Sequence, residues 1–135
     1  MEVKAYLKIH HFDCSLETIT DLLNLKPDIA WLKGDIIPNR KSLVYRKQNT
    51  WGITSQLSVS ASIEEHIQYL LKKIDSNRKI FKELTFKYTG ELSIAIYSYE
   101  EFNIGIYSQK ELIENLADLG INIDYDIYFL KETNH

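Results

Sequence analysis

The chain predicts an α+β domain built on a single antiparallel or mixed sheet of about five strands, with helices on one face and a ferredoxin-like order in part. Three observations carry that prediction. Apolar and polar residues alternate strictly in several stretches, which is the pattern of strands covered on one side only. Between them lie stretches with apolar residues at helical spacing, two of them opened by a serine three residues ahead of a glutamate. Finally, 135 residues with 44 % hydrophobic and 26 % charged side chains suffice for one core without disulfides. Residues 1–135 are therefore expected to form one domain, with 132–135 as a loose tail.

Val3, Ala5, Leu7 and Ile9 alternate with Lys4, Tyr6 and Lys8, so the chain opens with a strand that buries one face. After His10-His11-Phe12, either Asp13 or Ser15 can cap a helix whose Leu16, Ile19, Leu22 and Leu23 share one side. Leu25-Lys26-Pro27 ends it, because a residue before proline is driven out of the helical region. From Asp28 to Asn49 neither period holds. Gly34-Asp35 and Pro38-Asn39 signal turns there, and Ser42 to Tyr45 is a candidate short edge strand. Alternation resumes at Trp51, which shares an inward face with Ile53, Ser55, Leu57 and Val59.

Ser62-Ile63-Glu64-Glu65 is a capping box, and Ile63, Ile67, Leu70, Leu71 and Ile74 form the stripe of the helix it opens. Asp75-Ser76-Asn77 interrupts that stripe before a further short helix carrying Ile80, Phe81 and Leu84. A long strand follows, with Leu92, Ile94 and Ile96 inward, and Glu100-Glu101 marks a turn into Phe102, Ile104 and Ile106, which predicts a hairpin. Ser108 to Glu111 reads as a second capping box, opening a helix with a Leu112, Ile113, Leu116 and Leu119 stripe and Gly120 as its left-handed end. The last strand runs from Ile121 to Leu130 with Ile121, Ile123, Tyr125, Ile127 and Phe129 on one face. The order helix, strand, strand, helix, strand suggests a ferredoxin-like second half. The opposite, wet face of the sheet should carry Lys4, Tyr6, Lys8, Tyr97, Tyr99, Tyr107, Asp124, Asp126 and Tyr128.

Charge narrows the function classes. A net charge of −3 gives no drive toward nucleic acid or anionic membrane. The one cysteine, Cys14, allows no internal disulfide, so a reducing compartment and a cytoplasmic location are expected. No signal-peptide segment or run long enough for a membrane span is visible. Bases gather between Lys26 and Lys47 and acids between Glu111 and Glu132, which predicts a dipolar molecule.

Pro27, Ala30-Trp31, Lys33-Gly34-Asp35, then Trp51 with Ser55 four residues on, and the closing Asp124-Tyr125-Asp126-Ile127-Tyr128 resemble a bacterial family catalogued as domain of unknown function 4279. The resemblance runs over nearly the whole chain. It implies a small cytoplasmic α+β domain and no established chemistry, catalytic residue or cofactor. Some families of comparable size and kind are immunity or inhibitor proteins, an analogy of type only.

Two regions are candidate sites. Trp31 and Trp51, with Lys33, Asp35, Arg40 and Ser55 around them, could form one contact region for a protein partner, could floor a pocket for an anionic metabolite or nucleotide, or could be core and turn residues. Tyr6, Tyr97, Tyr99, Tyr107 and Tyr128, flanked by lysines and aspartates, suit a protein partner, because tyrosine supplies contact area at low entropic cost. His10, His11, Asp13 and Cys14 lie close in sequence, but adjacent strand residues face opposite ways and no second ligand cluster follows, so no metal is expected. Glycine patterns that cradle phosphates are absent from the sequence, and no base is nominated for Cys14 or a serine as nucleophile. The expectation is a non-enzymatic, cofactor-free domain that binds another protein, with a toxin in an immunity-type role as one candidate partner. Its alternative is a small-ligand sensor, and nucleic acid is not an expected partner.

Overall fold

The structure is a computed structural model that describes residues 1–99 and 103–131. Its sheet is centred on β1 (Glu2–His10), flanked by β3 (Thr50–Thr54) and β4 (Thr89–Ser98), with β2 (Ile29–Trp31) and β5 (Ile121–Phe129) at the edges. Neighbours run antiparallel except β4 and β5, which are parallel. The helices are α1 (Leu16–Leu23), α2 (Ile63–Ile74), α3 (Arg78–Lys87) and α4 (Lys110–Asp118), and a 3₁₀ turn, Asp75–Asn77, joins α2 to α3. The mixed sheet and one-sided helices agree with the sequence. The ferredoxin-like part, however, is the first four strands, in spatial order 2-3-1-4, to which α4 and β5 are added.

Strand alternation decides the two faces. Val3, Ala5, Leu7 and Ile9 of β1, with Leu92, Ile94 and Ile96 of β4, pack under Ile67, Leu70 and Ile74 of α2 and Phe81 of α3. Each of these side chains other than Ala5 contributes about 1.5–3 kcal/mol by leaving water. The capping box of α2 forms as predicted: Glu65 N–H donates to Ser62 Oγ at 3.1 Å, and Ser62 N–H donates to the Glu65 carboxylate at 3.4 Å. Ser15 caps α1, accepting from Thr18 N–H at 3.1 Å, and the helix stops at Asn24, whose φ of 51° begins the exit ahead of Pro27. Gly120, at φ 68°, turns the chain from α4 into β5.

Several expectations are corrected. Ser42 to Tyr45 is not a strand; Tyr45 makes a single bridge to Ile36, and the edge beside β3 is β2, too short to show a period. The strand begun near Trp51 ends at Thr54 because Ser55 Oγ accepts the Leu57 N–H at 3.4 Å and turns the chain, leaving Leu57 and Val59 at the surface. No hairpin follows β4 among the described residues: 103–109 form no strand, Glu100, Glu101 and Phe102 lie outside the described residues, and β4 pairs instead with β5 across α4. Ser108 does not cap α4, whose N-cap is Gln109 without a side-chain bond. Leu22 and Ile113 are stripe members left exposed. On β5 only Ile121 is buried, since the helical cover of that edge comes mainly from α4; Ile123, Ile127 and Phe129 are exposed.

Candidate binding face

The register places the open-face residues in rows across the sheet. Trp31, Thr50, His10 and Thr89 share one row, and Lys8 and Glu91 lie opposite each other in the next. Tyr6 faces Ser93, which faces Asp124, and Ala95 of β4 faces Asp126. At the far end Tyr97 and Tyr128 are direct neighbours on parallel strands, their rings stacked with centroids 5.2 Å apart and planes 14° apart. Lys4 Nζ lies 5.7 Å from the centre of the Tyr97 ring, and Lys8 Nζ lies 5.4 Å from that of Tyr6. A lysine ammonium this close to a tyrosine ring is attracted by the ring's electrons, worth about 0.5–1 kcal/mol at an exposed site.

Like charge gathers beside β5. Asp126 above all, then partial burial and Glu91, pushes the Asp124 carboxyl above its ordinary range, with Lys8 opposing weakly. In the corner toward β3, His10 is almost fully buried. A ring that carries its proton on Nε2 satisfies every contact there: Nε2–H donates to Glu91 at 2.6 Å, while Thr50 and Gln48 donate to Nδ1 at 2.9 and 3.1 Å. Burial lowers the His10 pKa and outweighs Glu91, which raises it. Thr50 is enclosed, so this hydroxyl–imidazole–carboxylate chain braces the sheet and offers no reachable nucleophile.

The predicted site residues separate. Trp31 stays on the open face, its indole covered by the Arg46 guanidinium at 3.7 Å. Trp51 lies opposite Ala30, so its side chain takes the other face; it is 0 % exposed and its Nε1–H donates to Thr20 Oγ1 at 3.0 Å. The two indoles therefore do not floor one pocket. Lys33 and Asp35 shape the turn after β2, where Asp35 accepts the Leu32 N–H at 2.8 Å and the Lys33 N–H donates to Asn49 at 2.8 Å; Arg40 is exposed farther along that loop. Ser55 contacts His66 Nδ1 at 2.6 Å and ties the following loop to α2. Tyr6, Tyr97 and Tyr128 share the sheet face as predicted, whereas Tyr99 lies beyond the end of β4 and Tyr107, 85 % exposed, precedes α4 off the sheet.

His11 and Asp13 also part from His10. His11 turns at φ 63°, and Asp13 accepts the Tyr88 hydroxyl at 2.5 Å, a bond that pushes the Tyr88 pKa up to about 12. Among the described residues no group of three or more metal-ligating side chains converges. Three shallow depressions, beside Phe86, beside Tyr69 and beside Cys14, open on the helical side, away from the open face. Glu91, Gln48 and Arg46 were not among the predicted site residues. The signal for Glu91 was available in its outward parity on β4; Gln48 and Arg46 reach the face from an aperiodic loop.

Among the described residues no helix is long and apolar enough to cross a membrane. The chain matches no curated protein and no solved structure. The model of one family, described as Domain of unknown function (DUF4279), matches residues 1–130. On that match, which spans the sheet, all four helices and every residue of the open face, the chain belongs to the DUF4279 family.

Proposed function

We propose that this protein is a non-enzymatic binding domain that recognises another protein through the open face of its sheet, in the manner of an immunity-type or inhibitor-type neutraliser. The observation that carries the reading is the Tyr97–Tyr128 stack with Lys4 over it and Asp124 and Asp126 beside it. Flat aromatic area on a rigid strand pair, ringed by charges of both signs, is what a specific protein interface uses as anchor and rim. The Trp31–Arg46 pair extends the same face toward β2. A photo-crosslinking amino acid at Tyr97 or Lys4 in the native cell should give a discrete protein adduct, and the same group at exposed Glu64 on α2 should not. Absence of an adduct from both open-face positions, or the same adduct from Glu64, refutes the proposal.

A further inference from the structure

The geometry points to β5 as a strand-addition site for an extended partner segment that alternates basic and apolar residues. The inference rests on the reading of this chain as a protein-binding domain and names the chemistry of the partner. β5 is an edge strand of nine residues, and among the described residues nothing pairs with its outer side. Leu130 N–H donates to the Ser98 carbonyl of β4 at 2.7 Å. By alternation, the N–H and C=O groups of Ile123, Tyr125, Ile127 and Phe129 point outward.

Edges of this length are normally shielded by proline, lysine, a bulge or a covering element. The opposite edge, β2, is only three residues long. Within its nine residues, INIDYDIYF, β5 has no proline, no lysine and an unbroken register with β4; its charges are Asp124 and Asp126, which discourage acidic or identical strands but not a basic one, and Phe129 is 63 % exposed on the helical side.

Charge selects the occupant. A second copy of this chain, adding its own β5 antiparallel in the register that overlaps the whole strand, would set Asp124 opposite the second copy's Asp126 twice, and like charges across a strand pair repel. A basic segment instead places lysine or arginine against Asp124 and Asp126 on the open side, relieving the repulsion already present there, and apolar side chains against Ile123, Ile127 and Phe129 on the other.

A synthetic nine-residue peptide alternating lysine and valine tests this against the full chain, read by amide exchange in NMR spectra and by anisotropy. It should slow exchange at Ile123, Tyr125, Ile127 and Phe129. A peptide with glutamate for lysine, or with a central proline that removes a backbone donor, should not. Asp124→Asn with Asp126→Asn should weaken binding about 5-fold, as expected for two exposed ion pairs. Binding of the lysine peptide without protection of those amides, equal protection by the glutamate peptide, or a free protein that sediments as a dimer with β5 already protected, each overturns the inference. If the β5 amides stay open while the crosslink from Tyr97 persists, the edge assignment fails and the open-face reading stands; protection without that crosslink has the opposite meaning.

Discussion

Gly90→Ala should destabilise the protein by about 1–2 kcal/mol, because the new methyl group has no room where α3, β4 and the turn into β5 meet. A Cβ built on Gly90 would lie 2.5 Å from Thr85 Cγ2 and 3.2 Å from the Gly120 carbonyl oxygen. Thr85 cannot swing away: its hydroxyl donates to the Leu119 carbonyl at 2.7 Å, and a β-branched side chain on a helix has one or two χ1 options. Overpacking of this kind costs about 1–3 kcal/mol, and the loss of glycine's freedom in the unfolded chain returns about 0.4–1 kcal/mol. The 2.5 Å approach to a bonded Thr85 puts the site toward the upper end of the overpacking range, so the net cost is about 1–2 kcal/mol; at an unfolding entropy of about 2.1 cal/mol/K per residue, 135 residues convert it into a melting temperature lower by about 4–7 °C. Thermal unfolding by circular dichroism measures it. Thr85→Ser removes the offending methyl and keeps the hydroxyl, so the double variant should lie closer to Thr85→Ser alone than additivity allows. Additive costs in that cycle, or a Gly90→Ala protein as stable as the parent, would refute the close approach that delivers β5 to the sheet edge.

Trp51→Phe should cost about 1–3 kcal/mol in urea unfolding through lost volume and the bond to Thr20, while Trp31→Phe should leave an emission that is blue-shifted and shielded from acrylamide, since only buried Trp51 remains. Ser62→Ala should cost about 1 kcal/mol by removing a cap that forms, and Ser108→Ala should be near neutral because Gln109 occupies the N-cap of α4; the two urea midpoints compare them directly. Burial holds the pKa of both His10 and His66 below 6.5. The unfolded chain therefore takes up protons that the fold refuses, and stability that is complete above pH 6.5 declines as pH falls below it. A urea midpoint that is unchanged or higher at lower pH would contradict this.

Much of the architecture was legible because it is locally encoded. Period-two stretches set which side chains of β1 and β4 face the helices, the Ser62 box and Gly120 mark helix ends locally, and the helical stripe of α2 matches the core it covers. The open face was legible for the same reason, which is how Tyr6, Tyr97 and Tyr128 could be grouped before any pairing was known.

What periodicity cannot encode is which strand lies beside which, and how far the helices reach. The opposite orientations of Trp31 and Trp51 follow from Ala30 pairing with Trp51, a contact across an aperiodic loop of eighteen residues between β2 and β3. The parallel pairing of β4 with β5 depends on the crossover through α4, which the sequence presented as a hairpin. The chain alone fixed the faces, since a side chain's direction follows from its own backbone; only the tertiary structure decided that the apolar side of β5 lies beyond the helical cover, because shielding belongs to the packing of distant segments.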